Sequence, residues 1–150
     1  MKLSKFCDET LVTFDLKATD KDGVIEELVE LVSRSNMVKD QDQLLADIKE
    51  REDLVTTGVG YGVAFPHAKT RSVKGIVIAF GRSKSGVDFD AMDHKPVKMF
   101  FLIAAPEDAI GAHLNVMARL SYLMKSAENR EKLMAASSPG DVLVLMDAVE

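Results

Sequence analysis

Tryptophan is absent from the 150-residue chain, cysteine occurs once and proline four times. The lone Cys7 cannot close an internal disulfide, so a fold of this length must be held by its core. A reducing compartment is expected, and with it a cytoplasmic location. No basic start leads into an apolar run with a small-residue cleavage site. The longest apolar stretch, residues 99–105, is far shorter than the ~20 residues that cross a bilayer, so any membrane association is expected to be indirect. Excess positive charge is also missing: 19 basic against 24 acidic residues give a net charge of −5, which argues against a polyanionic partner, and no nucleic acid is expected. Walker loops, GxSxG elbows, paired-cysteine zinc patterns and HExxH helices do not occur. His67 and His113 lack the spacing of a helical metal pair, so neither a metal nor a cofactor is expected. What remains, 47% hydrophobic and 29% charged, is the balance of one ordinary globular domain. Folding at this size buries roughly 68% of the unfolded chain's surface.

Apolar periodicity divides the chain into helical and extended segments. Ile25, Leu28, Val29 and Val32 recur at three- and four-residue spacing, which predicts a helix over 20–34 capped by Thr19 or Asp20. Leu44, Leu45 and Ile48 predict a second over 40–52, and Arg51, three residues beyond Ile48, lies on its inward side. Residues 56–62, with three glycines and two hydroxyls, read as an irregular loop. Val63, Ala64 and Phe65 read as a short strand stopped by Pro66, with His67 emerging at its end. Apolar runs over 76–80 and 97–104 are strands separated by turn formers over 88–96. The continuous apolar character of the second run predicts burial on both faces. A third helix from about Asp108 carries His113, Val116, Met117, Leu120, Leu123 and Met124 on one stripe. A short helix over 129–135 and a last one over 139–148, capped by Ser137 or Ser138 with Pro139 at its first position, complete the chain. The expected architecture is α/β: a mixed β-sheet covered by helices on both faces, a three-layer sandwich.

Three side chains suit an anion. His67 follows a donorless Pro66 and a glycine-rich loop whose amides are near. A neutral imidazole there keeps one nitrogen as a lone-pair nucleophile while the other donates a bond that sets the tautomer. Phosphoryl transfer needs in-line positioning and dispersed positive charge more than it needs acid or base groups. Arg51, Thr57, the loop amides and a helix N-terminus are able to supply that charge. His113 lies in the first turns of the third helix, where the positive end of the helix lowers its proton affinity. Each has an ordinary reading beside this one. His67 could be a surface residue at a strand end, and His113 a half-buried packing residue with one satisfied hydrogen bond. Arg51 could be a buried stem paired with Glu52 or Asp53. His94 reads as a solvated turn residue, Cys7 as minor packing, and the methionines as core filler.

The stretch Arg51-Glu52-Asp53-Leu54-Val55-Thr56-Thr57-Gly58-Val59-Gly60-Tyr61-Gly62-Val63-Ala64-Phe65-Pro66-His67-Ala68 resembles the signature of the fructose/mannitol-type enzyme IIA of the sugar phosphotransferase system, its nitrogen-regulatory branch included. The similarity continues through 87–90, Pro96-Val97, Ala105-Pro106 and His113-Leu114. Phe65 stands where a smaller aliphatic residue is common, and Ala68 where glycine is frequent. The resemblance implies one stand-alone enzyme IIA domain over 1–150, with no fused IIB, HPr or membrane segment. It implies that His67 accepts a phosphoryl group from the phosphohistidine of HPr or a nitrogen-type paralogue. His113 and Arg51 are then the assisting residues, and Thr57, Gly58 and Ala68 hold the phosphoryl oxygens. The group passes to a IIB partner, or its presence controls binding to regulatory protein targets. Permease subunits would be the only link to a membrane.

Overall fold

The structure, a computed structural model, describes residues 2–148. Four of the five α-helices among the described residues begin at a capping side chain. Asp20 accepts from Gly23 N–H at 2.8 Å and starts α1 (Lys21–Val32), which buries Val24, Ile25, Leu28 and Val29. Asp40 accepts from Gln43 N–H at 3.0 Å and starts α2 (Gln41–Leu54), which buries Leu44 and Ile48 and runs two residues past Glu52. The helix α3 (Ile110–Lys125) starts two residues later than its pattern suggests, because Ala109 N–H turns back onto the Pro106 carbonyl at 3.1 Å. Ser126 caps α4 (Ala127–Ala135), which starts two residues ahead of the expected 129, and Ser138 caps α5 (Pro139–Asp147) with Pro139 in the first turn.

Six strands form one mixed sheet: β1 (Val12–Thr13), β2 (Gly58–Gly60), β3 (Val63–Ala64), β4 (His67–Lys69), β5 (Val77–Val87) and β6 (Val97–Ala105), in the order β1-β5-β6-β3-β2 with β4 also on β6. The β5–β6 pairing is antiparallel, from Val77↔Ala104 to Arg82↔Met99, whereas β3 and β4 both run parallel to β6. Adjacent residues of a strand face opposite sides. A Cβ on Gly81 would lie 2.7 Å from Leu28 of α1, while the next residue, Arg82, donates to the carbonyls of Leu133 and Ala136 at the end of α4. Helices therefore cover both faces, and from Met99 to Ala105 every residue of β6 is buried.

Three features depart from the sequence pattern. The glycine-rich segment is not wholly irregular: Gly58–Gly60 pairs with β3 as a hairpin. Its turn places Gly60, Tyr61 and Gly62 at φ of 103°, 59° and 76°, which the two glycines tolerate and Tyr61 adopts between them, and the glycines conceal the strand from propensity. The strand expected over 76–80 runs on to Val87, because its polar far half is exposed on one side and carries no apolar run. The N-terminal 3-10 turns at Leu3–Phe6 and Glu9–Leu11, and β1, also form without periodic signals; they bury Leu3 and Leu11.

Candidate active site

His67 is held where the backbone breaks step. Strand β3 ends at Ala64, Pro66 has no N–H to continue the ladder, and pairing to β6 resumes at His67↔Ile103. In the gap, Phe65 N–H donates to the Thr57 carbonyl at 3.1 Å, and the Phe65 carbonyl lies 2.8 Å from His67 Nδ1. A carbonyl can only accept, so Nδ1 carries the proton and Nε2 carries the lone pair. The ring is half-buried. Burial lowers its pKa below 6.5 first of all; the Phe65 bond opposes that shift, and the Arg51 charge adds to it. At neutral pH the ring is therefore a neutral imidazole with a free nitrogen.

His113 faces it from α3, with ring centroids 5.5 Å apart and planes at 40°. Its backbone N–H donates to Ala109 in the first turn. The side chain is 5% exposed, and Nδ1 is buried with no hydrogen-bond partner among the described residues. This is unlike a packing histidine with one satisfied bond. Burial, then the charges of His67 and Lys69, lower its pKa to about 4. Burial is thus the main cause where the sequence had suggested the helix terminus. Orphaned buried N–H groups are rarer in proteins than bare acceptors, so the proton belongs on Nε2.

Arg51 completes the group. Its Nη1 donates to the Val55 carbonyl at 3.0 Å, and among the described residues it makes no ion pair with Glu52 or Asp53. Positions 47, 51 and 54 of α2 share one face, and Asp47, Arg51 and Leu54 line an open cleft of about 510 Å3 together with His67, Ala68, Lys69, Glu107, His113 and Leu114. Three separate segments, α2, β4 and α3, thus bring His67, His113 and Arg51 together.

The remaining expected phosphate contacts divide. Ala68 lines the cleft. Thr57 and Gly58 do not. The Thr57 hydroxyl donates to Glu52 Oε1 at 2.6 Å, its N–H donates to Glu52 Oε2 at 2.7 Å, and Gly58 N–H donates to Thr56 Oγ1 at 3.1 Å. A phosphoryl oxygen only accepts, and these donors are engaged elsewhere, so direct oxygen contact by Thr57 or Gly58 does not fit this geometry. Sequence reasoning missed two residues. Lys69 lies on the same strand face as His67, as period-two alternation could have shown. Glu52 is 4% exposed; it follows Leu44 and Ile48 at four-residue spacing on the buried stripe of α2, a signal its charge conceals.

The sequence model described as "Phosphoenolpyruvate-dependent sugar phosphotransferase system, EIIA 2" matches residues 5–148. The chain is 41% identical over 141 residues to the fructose-specific EIIA component of the phosphotransferase system of Haloferax volcanii, covering 93% of this chain and 92% of that protein. It is 35% identical over 147 residues to the fructose-specific EIIABC component of Bacillus subtilis, covering 98% of this chain but only 23% of that longer protein. The crystal structure of nitrogen regulatory protein IIA-Ntr from Neisseria meningitidis superposes with a TM-score of 0.89 at 32% identity, over 96% of this chain and 98% of that one. The mixed sheet between helices is the fold of these phosphotransferase-system relatives. The chain belongs to the EIIA 2 family of that system. Among the described residues no helix is long and apolar enough to cross a membrane.

Proposed function

We propose that the chain is a phosphocarrier that accepts a phosphoryl group on His67 Nε2 from the phosphohistidine of HPr or a nitrogen-type paralogue and passes it to a IIB partner. The observation that carries this reading is the Nδ1–Phe65 hydrogen bond, which leaves Nε2 as the only nucleophilic ring nitrogen. Its lone pair forms the new N–P bond while the donor imidazole departs with the electrons of the old one, so no proton need be abstracted. Arg51 and the Nε2–H of neutral His113 stabilise the transferring oxygens, Lys69 adds positive charge at the rim, and the Ala68 backbone shapes the floor. Thr57 and Gly58 act one step back, by holding the loop. The open cleft suits a succession of protein partners meeting one site, and HPr-type donors place the protein in the cytoplasm.

A regulatory reading is favoured by one observation, the close superposition on a nitrogen regulatory protein. In that case the same phosphohistidine changes affinity for protein targets through its added charge. Incubation with phosphorylated HPr of each branch, followed by alkaline mass mapping, tests both readings. His67→Ala should take no label, and His113→Ala should be labelled slowly. Stoichiometric label on His67→Ala would refute the assignment, and rapid transfer onward to purified IIB separates transport from regulation.

A further inference from the structure

Glu52 is the most buried carboxylate in the described chain, and it does not reach the cleft. Its side chain lies on the other side of α2, in a recess with Lys21 and Asp90. The carboxylate takes three donors: Thr57 Oγ1–H on Oε1, and Thr57 N–H and the Lys21 ammonium on Oε2, the last at 3.1 Å. From Thr57 the connection continues. The Thr57 carbonyl accepts from Phe65 N–H, and the Phe65 carbonyl accepts from His67 Nδ1–H. Lys21 on α1, Glu52 on α2, the loop and the reactive ring thus form one unbroken series of bonds. The same turn is gripped from the cleft side by Arg51 on Val55.

We propose that Glu52 is a positioning residue: by fixing both donors of Thr57 it holds the Phe65 carbonyl where it selects the Nδ1–H tautomer of His67. This deepens the phosphocarrier reading and rests on it for the rate consequence alone, because the tautomer exists before any phosphoryl donor arrives. The two Thr57 donors fall on different carboxylate oxygens. Glu52→Gln can keep both contacts by accepting from Thr57 N–H and donating to the Thr57 hydroxyl, whereas Glu52→Leu offers no acceptor, so both Thr57 donors then lose their partner. The loop shifts, the Phe65 carbonyl loses its aim, and His67 drifts toward the Nε2–H tautomer that free imidazole favours. Groups that orient a metal-bound histidine through a hydrogen bond are worth ~10–100-fold when removed, and the same scale is expected for this ring.

The test is a long-range 1H–15N correlation spectrum of the histidine rings above pH 7.5, where His67 is neutral, for the wild type, Glu52→Leu, Thr57→Val and Thr57→Ser. Wild type and Thr57→Ser should show a pyrrole-type Nδ1 and a pyridine-type Nε2 at His67. Glu52→Leu, and to a smaller degree Thr57→Val, should show averaging between the tautomers, with a ~10–100-fold slower phosphorylation rate. A purely electrostatic role for Glu52 would shift the His67 titration and leave the tautomer alone, which overturns the proposal. A rate loss with an unchanged tautomer overturns it too. Should Glu52→Leu not fold, the valine and serine variants decide the question by themselves, since only the valine variant lacks the hydroxyl donor. Failure of the wild type to take label at all would strike the phosphocarrier reading and leave the tautomer result standing.

Discussion

Replacing His113 by leucine, a side chain of similar volume, should remove a block of acid sensitivity from the folded protein. Folding lowers the His113 pKa from 6.5 to about 4, so over that interval the unfolded chain binds the proton more readily than the native one. The contribution to stability is complete above pH 6.5 and is lost as pH falls toward 4. The whole shift corresponds to about 3 kcal/mol, and between pH 7 and pH 4.5 linkage gives about 2 kcal/mol. His67, lowered from the same starting value, adds a loss of the same sign, and titrating carboxylates contribute as well. The quantity to measure is therefore a double difference: urea unfolding of wild type and His113→Leu, each at both pH values. Wild type should lose about 2 kcal/mol more than the variant, or roughly 1 M in urea midpoint. At pH 7 the variant should be as stable as wild type or more so, by up to about 1 kcal/mol, because Nδ1 is buried without a partner. Equal acid losses in the two proteins, or an NMR midpoint for His113 near 6.5, would refute the reasoning.

Arg51→Ala should slow phosphoryl acceptance by ~10^2–10^3-fold, the cost of one preorganised donor at the transferring group. Arg51→Lys should recover only part of this because the planar fork is lost; stopped-time labelling from the phosphorylated carrier measures both. The rate of acceptance should rise along one limb as His67 deprotonates, with its midpoint below pH 6.5 and no second limb from His113 down to pH 5; a midpoint at or above pH 6.5 would contradict the lowered His67 pKa. Gly58→Ala would bring a Cβ to 2.9 Å from both Cα and Cβ of Ala91, and overpacking of this kind costs ~1–3 kcal/mol, to be read by thermal unfolding with slowed labelling beside it.

Helices α1, α2 and α5 were legible because short-range chemistry decides them: Asp20, Asp40 and Ser138 satisfy free amides three residues on, and apolar spacing picks the buried stripe. Strand β6 was legible for the same reason, an apolar run too continuous for a half-exposed element. The strands that escaped carry no apolar run of their own. Gly58–Gly60 is held by the hairpin ladder to Val63–Ala64 in spite of its propensity, and His67–Lys69 and the far half of β5 by their register with β6. The site divides along the same line. His67 behind Pro66 invited attention by itself, whereas spacing gave His113 and Arg51 equally good ordinary readings. Only the packing of α2 and α3 around β4 puts them in one cleft, and the family resemblance supplied that pairing. Thr57 shows the opposite error. Its hydroxyl looked like a phosphate ligand, but the burial of Glu52 beneath the loop, a tertiary fact, turns it away.

Two-dimensional 1H–15N and 31P NMR of the protein phosphorylated by its HPr-type donor most directly tests the claim that the Phe65 bond leaves one nitrogen free to react. The phosphorus should be bonded to Nε2 of His67, with Nδ1 still carrying its proton. Phosphorus on Nδ1, or on any other residue, would contradict the account.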